Sequence, residues 1–291
     1  MNYRITHKTT YTYSEQASIS QNELFLHPRG TATQSVTQSD LGILPTPQYM
    51  RQRTDYFGNI TDVFMVQQPH SQLTMTVTSL VGTTVPATPL PSGTMPWETV
   101  VPRLIAHAQP GELDAYQFVF VSPLTLINPD IRDYARVSFP SGIPVLEGAM
   151  DLMRRIFTEF SYDKSATTVD TPVAQLLAEK KGVCQDFAHF GISCLRSLGM
   201  AARYVSGYME TLPPPGKPKL IGADASHAWL SVFIPDAGWV DLDPTNNLIP
   251  GERHITVAWG RDYGDVTPVK GVVMGGGTHT LSVMVDVSAL S

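Results

Sequence analysis

The order in which strand-like and helix-like segments follow one another constrains this chain most. Period-two alternation dominates the first 85 residues. Tyr3, Ile5, Tyr11 and Tyr13 share one parity, and Leu73, Met75 and Val77 alternate with threonines, the mark of half-buried strands. In DYFGNITDVFMV, Gly58-Asn59 falls between two such pieces and reads as a hairpin turn. Next comes VPATPLPSGTMPW, whose prolines exclude a central strand or a helix interior and mark a boundary.

Helical spacing then takes over. Ala149, Met153, Ile156, Phe157 and Phe160 form one stripe of a helix ending near Ser161. Thr171-Pro172 supplies an N-cap and first turn for a shorter helix through Lys180, with Gly182 just past its end. A third helix starts at Cys184; Phe187, Gly191, Cys194, Leu195 and Leu198 share a face, and Gly199 is placed to terminate it. From Ala201 onward the pattern returns to strands: ARYVSGYMET, HAWLSVFI, WVDLDPT, HITVAWG and LSVMVDVSAL. Helices first and strands after predict an α+β fold with an antiparallel sheet. The expected organisation is a β-sandwich-like domain over 1–85, a Pro-rich linker over 86–98, and a core over 99–291 that includes the C-terminal strands.

Composition narrows the function classes. With 42% hydrophobic and 16% charged residues, 291 residues can bury a sizeable core. Twenty Lys and Arg against 26 Asp and Glu lack the basic excess of a nucleic-acid or anionic-membrane binder. The two cysteines make no disulfide framework and no zinc-type spacing. There is no HExxH, EF-hand loop or phosphate loop, so no metal or cofactor is expected. Gly275-Gly276-Gly277 reads as a turn between strand-like pieces, with a mobile lid as the alternative if it lies near a cleft. The opening MNYRITHKTTYTYSE alternates like a strand rather than a secretory signal, and no apolar run approaches the ~18 residues of a membrane span. A soluble, cytoplasmic protein is the expectation.

Cys184 is the residue most open to chemistry. At a helix start it sits near unpaired backbone N–H groups and the positive end of the helix dipole, which favour thiolate over thiol. The same N–H groups can stabilise an oxyanion on an attacked carbonyl. Cys194 lies mid-helix on the apolar face, ~15 Å along the axis, and reads as packing. Of eight histidines, His189 is turned away from the sulfur by ~140° and reads as an exposed or core-edge residue. His7, His27, His70, His107, His254 and His279 have no acidic partner arranged by a recognisable turn.

His227 has one. In ASHAWLSVFIPDAGWVDLDPTNN, a three- or five-residue connection pairs odd with odd positions. His227 then shares a face with Asp243, opposed or diagonal, with Cβ atoms ~5 to 8 Å apart. Asp243 would accept the Nδ1–H of His227 and leave Nε2 for the sulfur. Asp241 shares the face and is the rival acid, nearer the turn. A one-residue slip separates the pair, and an exposed hairpin whose acids blunt an edge is the competing reading. Trp229, Trp239 and Trp259 read as core, with Trp229 on the face of His227.

KKGVCQDFAHFGISCLRSLGMAARYVSGYMET followed by DASHAWLSVFIPDAGWVDLDPTNN resembles the bacterial transglutaminase-like family, within the papain-like cysteine enzyme superfamily. The resemblance runs on through HITVAWGRDYGDVTPVKGVVMGGGTHTL. The first 85 or so residues resemble the β-rich region found ahead of that core, and residues 98–150 carry the weakest likeness. The resemblance implies Cys184 as nucleophile, His227 as general base and then acid, and Asp243 as the residue orienting His227. It also implies a cysteine-led helix packed on an antiparallel sheet. Tyr162 and Gln185 are near enough in sequence to be considered as oxyanion donors, although Gln185 reads as pointing elsewhere.

Such a triad attacks an amide or ester carbonyl and forms an acyl-thioester. Water as acceptor makes a cysteine peptidase or amidase, acting on a protein or peptide. An amine as acceptor makes a transglutaminase. Hydrolysis is favoured because water needs no dedicated second site. A catalytically silent scaffold with the same fold is the alternative of another class.

Overall fold

The computed structural model describes residues 1–211 and 226–290. The first two residues of the DASHAW motif therefore lie outside the described residues. Five strands open the chain: β1 (Asn2–Leu24), β2 (Gln34–Leu44), β3 (Tyr49–Thr54), β4 (Ile60–Val66) and β5 (His70–Thr83). Helices follow: α1 (Trp97–Ala106), α2 (Glu112–Tyr116), α3 (Pro129–Ser138) and α4 (Val145–Glu159). The two-residue strands β6 (Ser161–Tyr162) and β7 (Lys181–Gly182) bracket α5 (Val173–Glu179). Helix α6 (Cys184–Ser197) leads into β8 (Ala202–Met209), β9 (Ser226–Ile234), β10 (Gly238–Leu242) and β11 (His254–Gly260); β12 (Val269–Gly275) and β13 (His279–Leu290) close the fold.

Strand β1 organises the first sheet. Its Asn2–Thr12 half lies between β5 and β13, and its Ser20–Leu24 end lies between β4 and β12. The register shift between Thr12 and Ala17 separates the halves, as a bulge does by bending its strand. Between them sits an apolar cluster that includes Leu24, Phe64, Leu73 and Met75. Strands β3 and β4 form the hairpin expected around Gly58, whose φ of 77° supplies the turn.

The last two strands correct the sequence reading, which placed them with the core. Both pair with β1. A strand of 23 residues offers more edge than β4 and β5 can fill, and Val285 and Val287 are buried with Tyr3 and Ile5 against the helical layer. Period-two alternation marks a strand but does not say which sheet receives it. Gly275, the last residue of β12, and Gly276 and Gly277 beyond it all have positive φ. They do not reverse the chain as a turn would, since β12 and β13 run on in one direction along β1. The link is pinned to the bent part of β1 by Gly276 N–H to Gln16 O (3.1 Å) and Glu15 N–H to Gly276 O (3.2 Å).

In the second unit the sheet order is β10-β9-β8-β11, antiparallel throughout. Helix α6 packs on β9 and β8, with α3, α4 and α5 on its other sides. It is therefore not amphipathic in effect: every residue from Asp186 to Ser197 is buried. Gly191 makes the close approach possible, because a Cβ there would strike Leu230. The far end of α6 is held by Arg196, whose buried guanidinium donates to the carbonyls of Phe118, Ala202 and Arg261 and to the hydroxyls of Ser122 and Thr125. That anchorage fixes the axis along which Cys184 is presented.

Two caps differ from expectation. Pro172, not Thr171, occupies the N-cap of α5, and Lys180 in the left-handed region (φ 55°) ends it, while Gly182 belongs to β7. Helix α1 begins at Trp97, inside the stretch read as linker.

Candidate active site

Cys184 is the first residue of α6, after Val183 in extended conformation. The carboxylate of Asp186, two residues on, accepts the Val183 N–H (2.8 Å) and the Thr167 hydroxyl (2.6 Å). This ties down the turn into the helix and places a negative group where the dipole favours it. Gly182 is required for the same turn: a Cβ there would come within 2.8 Å of the Asp186 carboxylate and 2.7 Å of Leu176. Cys184 is partly exposed, whereas Cys194 is buried. Burial pushes the Cys194 thiol far above the ordinary range, so only one sulfur is open to chemistry.

His227 stands on β9. Strand β10 returns through three residues and pairs Trp239 with Phe233 and Asp241 with Ser231, the odd-with-odd register expected. Asp243 lies just beyond β10, in a tight turn closed by Asp243 N–H to Leu248 O (2.9 Å) and Leu248 N–H to Asp243 O (3.3 Å). His227 Nε2 lies 2.7 Å from Asp243 Oδ2. The tautomer is thus the reverse of the one expected: Nε2 meets the carboxylate, and Nδ1 is the ring nitrogen left for the sulfur. The Cys184 sulfur lies close enough to His227 to favour its charged form. Burial opposes a charge on His227. Its hydrogen bond to Asp243 and the neighbouring charges of Asp243 and Cys184 outweigh it and push its pKa up to about 10.

Asp243 is fully buried and surrounded by donors. The backbone N–H groups of Thr245 and Asn246 reach Oδ1 at 3.0 and 3.3 Å; the Asn246 amide reaches Oδ2 at 2.7 Å and His254 Nε2 reaches it at 3.2 Å. Burial alone would raise the carboxyl. Its hydrogen bonds from His227 and His254, the charge of His227 and the bond from Asn246 hold it well below the usual carboxylate range. Asp241, the rival acid, does not reach His227; it accepts the indole N–H of Trp229 at 3.0 Å.

Sequence reasoning missed His254 and Asn246. His254 opens β11, far from any recognisable turn, and only the β11–β8–β9 pairing carries it to Asp243. Asn246 lies in the turn after Asp243, within DPTNN, a segment that marks a turn but not a donor. His27 also has an acidic neighbour, 2.7 Å away at Asp62. His189, expected at an exposed or core-edge position, is buried, and its Nε2 accepts the Tyr263 N–H at 3.1 Å. Gln185 does point elsewhere, donating to Val169 O at 3.1 Å. Tyr162, paired with Gly182, is half exposed. Burial and the neighbouring charges of Cys184 and Asp186 raise its phenol.

The donor atoms of His227, Asp243 and His254 lie within 4.8 Å of one another. A divalent cation could use that spacing only by replacing the protons through which both imidazoles bond the carboxylate.

Comparisons with known proteins bear on the family and the fold. The family model for the bacterial transglutaminase-like N-terminal region matches residues 3–82, and that for the transglutaminase-like superfamily matches residues 139–244, a span holding Cys184, His227 and Asp243. An uncharacterized protein of Mycobacterium tuberculosis is 41% identical over 293 residues, covering 98% of this chain and 91% of its own length. A protein-glutamine gamma-glutamyltransferase of Pseudomonas aeruginosa is 29% identical over 107 residues, 34% of this chain and 16% of that protein. Among solved structures, a "putative cysteine protease" from Cytophaga hutchinsonii superposes with a TM-score of 0.77 at 20% identity, covering 100% of this chain and 91% of that one.

Proposed function

Because this chain belongs to the transglutaminase-like superfamily, we propose that it is a cysteine-dependent acyl-transfer enzyme that hydrolyses an amide bond in a peptide or protein. The observation that carries this reading is the chain of contacts from a partly exposed Cys184, through His227, to a buried and fully bonded Asp243.

In this reading the Cys184 proton resides on His227 Nδ1, and the thiolate attacks the carbonyl carbon. Asp243 holds the ring in place and stabilises its positive charge. The free N–H groups of the first turn of α6 face the charge that develops on the carbonyl oxygen. His227 then gives its proton to the departing amine, leaving an acyl-thioester on Cys184. A water molecule, deprotonated by His227, attacks that thioester and releases the acid and the thiol. Water is the preferred acceptor because it needs no second groove. The likeness to the Pseudomonas glutamyltransferase favours the second reading, in which a primary amine takes the place of water.

The test incubates the protein and its Cys184→Ala variant with a peptide library and with a glutamine-rich protein plus a labelled primary amine. Cleavage products that depend on Cys184 are the expected result. Amine incorporation faster than ammonia release would overturn hydrolysis in favour of transamidation. No Cys184-dependent product of either kind would leave a scaffold.

A further inference from the structure

A cavity of about 500 Å³ lies between the first sheet and the β10-β9-β8-β11 sheet, on the face opposite α6. Its chemistry is unlike a packing defect. Arg203 of β8 lines it, is 8% exposed, and is wedged between two indoles, its guanidinium carbon 3.7 Å from the ring centre of Trp259 and 4.1 Å from that of Trp239. Arg29 covers the other side of Trp259 at 3.2 Å. The Arg203 Nε–H is buried with no hydrogen-bond partner, and no carboxylate among the described residues comes within 4.0 Å of the guanidinium. Burial pushes Arg203 down to about 9, against the pull of Asp241. Buried guanidinium groups are normally bonded to a carboxylate or carbonyls, as Arg196 is here.

Asp241 lines the same cavity. One of its oxygens holds the Trp229 indole, and the other makes no hydrogen bond among the described residues. Cation and anion thus share a concave, indole-walled space without touching. Stacking leaves only the edge of the Arg203 plane open, which suits a planar carboxylate gripped by two N–H groups. The nearby Asp241 repels a dianion such as phosphate but accepts a protonated amine.

We infer that this cavity binds a small zwitterion, an amino-acid-like ligand whose carboxylate pairs with Arg203 and whose ammonium pairs with Asp241, its side chain lying against the indoles. Cys184, His227 and Asp243 do not line the cavity, although Trp229 and His254 do, and the inference holds whether or not the amide chemistry does.

The test titrates the full chain, by calorimetry, with glycine, L-leucine and L-phenylalanine, and with acetate, methylamine and inorganic phosphate as single-charge and dianion probes. Saturable binding of the amino acids, tighter than acetate and absent for methylamine, is expected. Arg203→Lys, which keeps the charge and loses the planar fork, should weaken amino-acid binding by about tenfold or more. Asp241→Asn keeps an acceptor for Trp229 and should weaken amino acids toward the affinity of acetate, leaving acetate itself unchanged. No saturable binding of any amino acid to the folded protein overturns the inference. So does phosphate binding as tightly as the amino acids, or full affinity in Asp241→Asn. Should Arg203→Lys fail to fold, the Asp241→Asn comparison decides.

Discussion

His227 and His254 meet the same oxygen of Asp243, at 2.7 and 3.2 Å, from two different strands of one sheet. The second imidazole also stands edge-on to Trp229, with ring centres 5.3 Å apart at 86°. His254 therefore helps hold the carboxylate that meets His227, which makes it a positioning residue in the proposed chemistry. His254→Phe keeps the ring contact and loses the N–H, whereas His254→Gln keeps a donor. Turnover should fall on the order of tenfold in the Phe variant with little change in KM, and less in the Gln variant. Equal losses in both would show that the hydrogen bond is irrelevant.

Alkylation distinguishes the two sulfurs. Iodoacetamide applied to the folded protein should modify Cys184 and spare Cys194, which is enclosed in the core with its thiol pushed upward by burial. Peptide mapping by mass spectrometry reads the ratio. His227→Ala should slow labelling of Cys184 near pH 6 without opening Cys194. An unchanged rate would mean that His227 does not activate the sulfur.

The pH dependence of stability has two opposed parts. His227, raised to about 10, contributes stability that is complete below its unfolded value of ~6.5 and is lost as pH rises through about 10. Asp243, depressed, contributes above its unfolded value of ~3.9 and loses that contribution as pH falls toward its folded one. Buried His7 and His189 behave oppositely to His227. Burial lowers each to about 4, so the unfolded chain takes up protons first and stability falls between about pH 6.5 and 4. For His189 that loss is on the order of 3 kcal/mol. Melting curves of His189→Gln across this window should therefore slope less steeply than those of the wild type, and an equal slope would count against a buried neutral His189.

Gly207 sits opposite His227 across β8 and β9. A Cβ there would run into the Ile255 carbonyl and come within 2.5 Å of the Trp229 indole. Gly207→Ala should destabilise the fold by about 1–3 kcal/mol and reduce Cys184-dependent activity by displacing the indole under His227. Denaturant unfolding with an unchanged midpoint would contradict the packing described.

Much of this was legible in the chain because it rests on local rules. The turn of three residues after Ile234 sets odd-with-odd register, so His227 and Asp243 share a face whatever the rest of the fold does. The start of α6 at Cys184 follows from the break at Gly182-Val183 and the apolar run behind it. What stayed hidden depends on contacts distant in sequence. His254 reaches Asp243 only through two strand pairings. The burial of His189 follows from α6 being enclosed on all sides, which a one-sided stripe does not announce. The ring nitrogen that meets Asp243 is set by where the turn at Asp243–Leu248 puts the carboxylate, a matter of ångströms that spacing does not encode.

The pairing of β12 and β13 with β1 has a consequence for how the protein is made. Strand β1 leaves the ribosome well before β12 and β13, which fill one of its edges. Until residues near Leu290 emerge, the nascent chain carries along β1 a row of unpaired N–H and C=O groups while the helices and the second sheet are synthesised. That exposed edge is a template for pairing with other chains. The helical core is, in topology, a long excursion between β5 and β12. Removing the last two strands would leave the edge of β1 open for good, so loss of β12 and β13 should appear as aggregation of the whole chain.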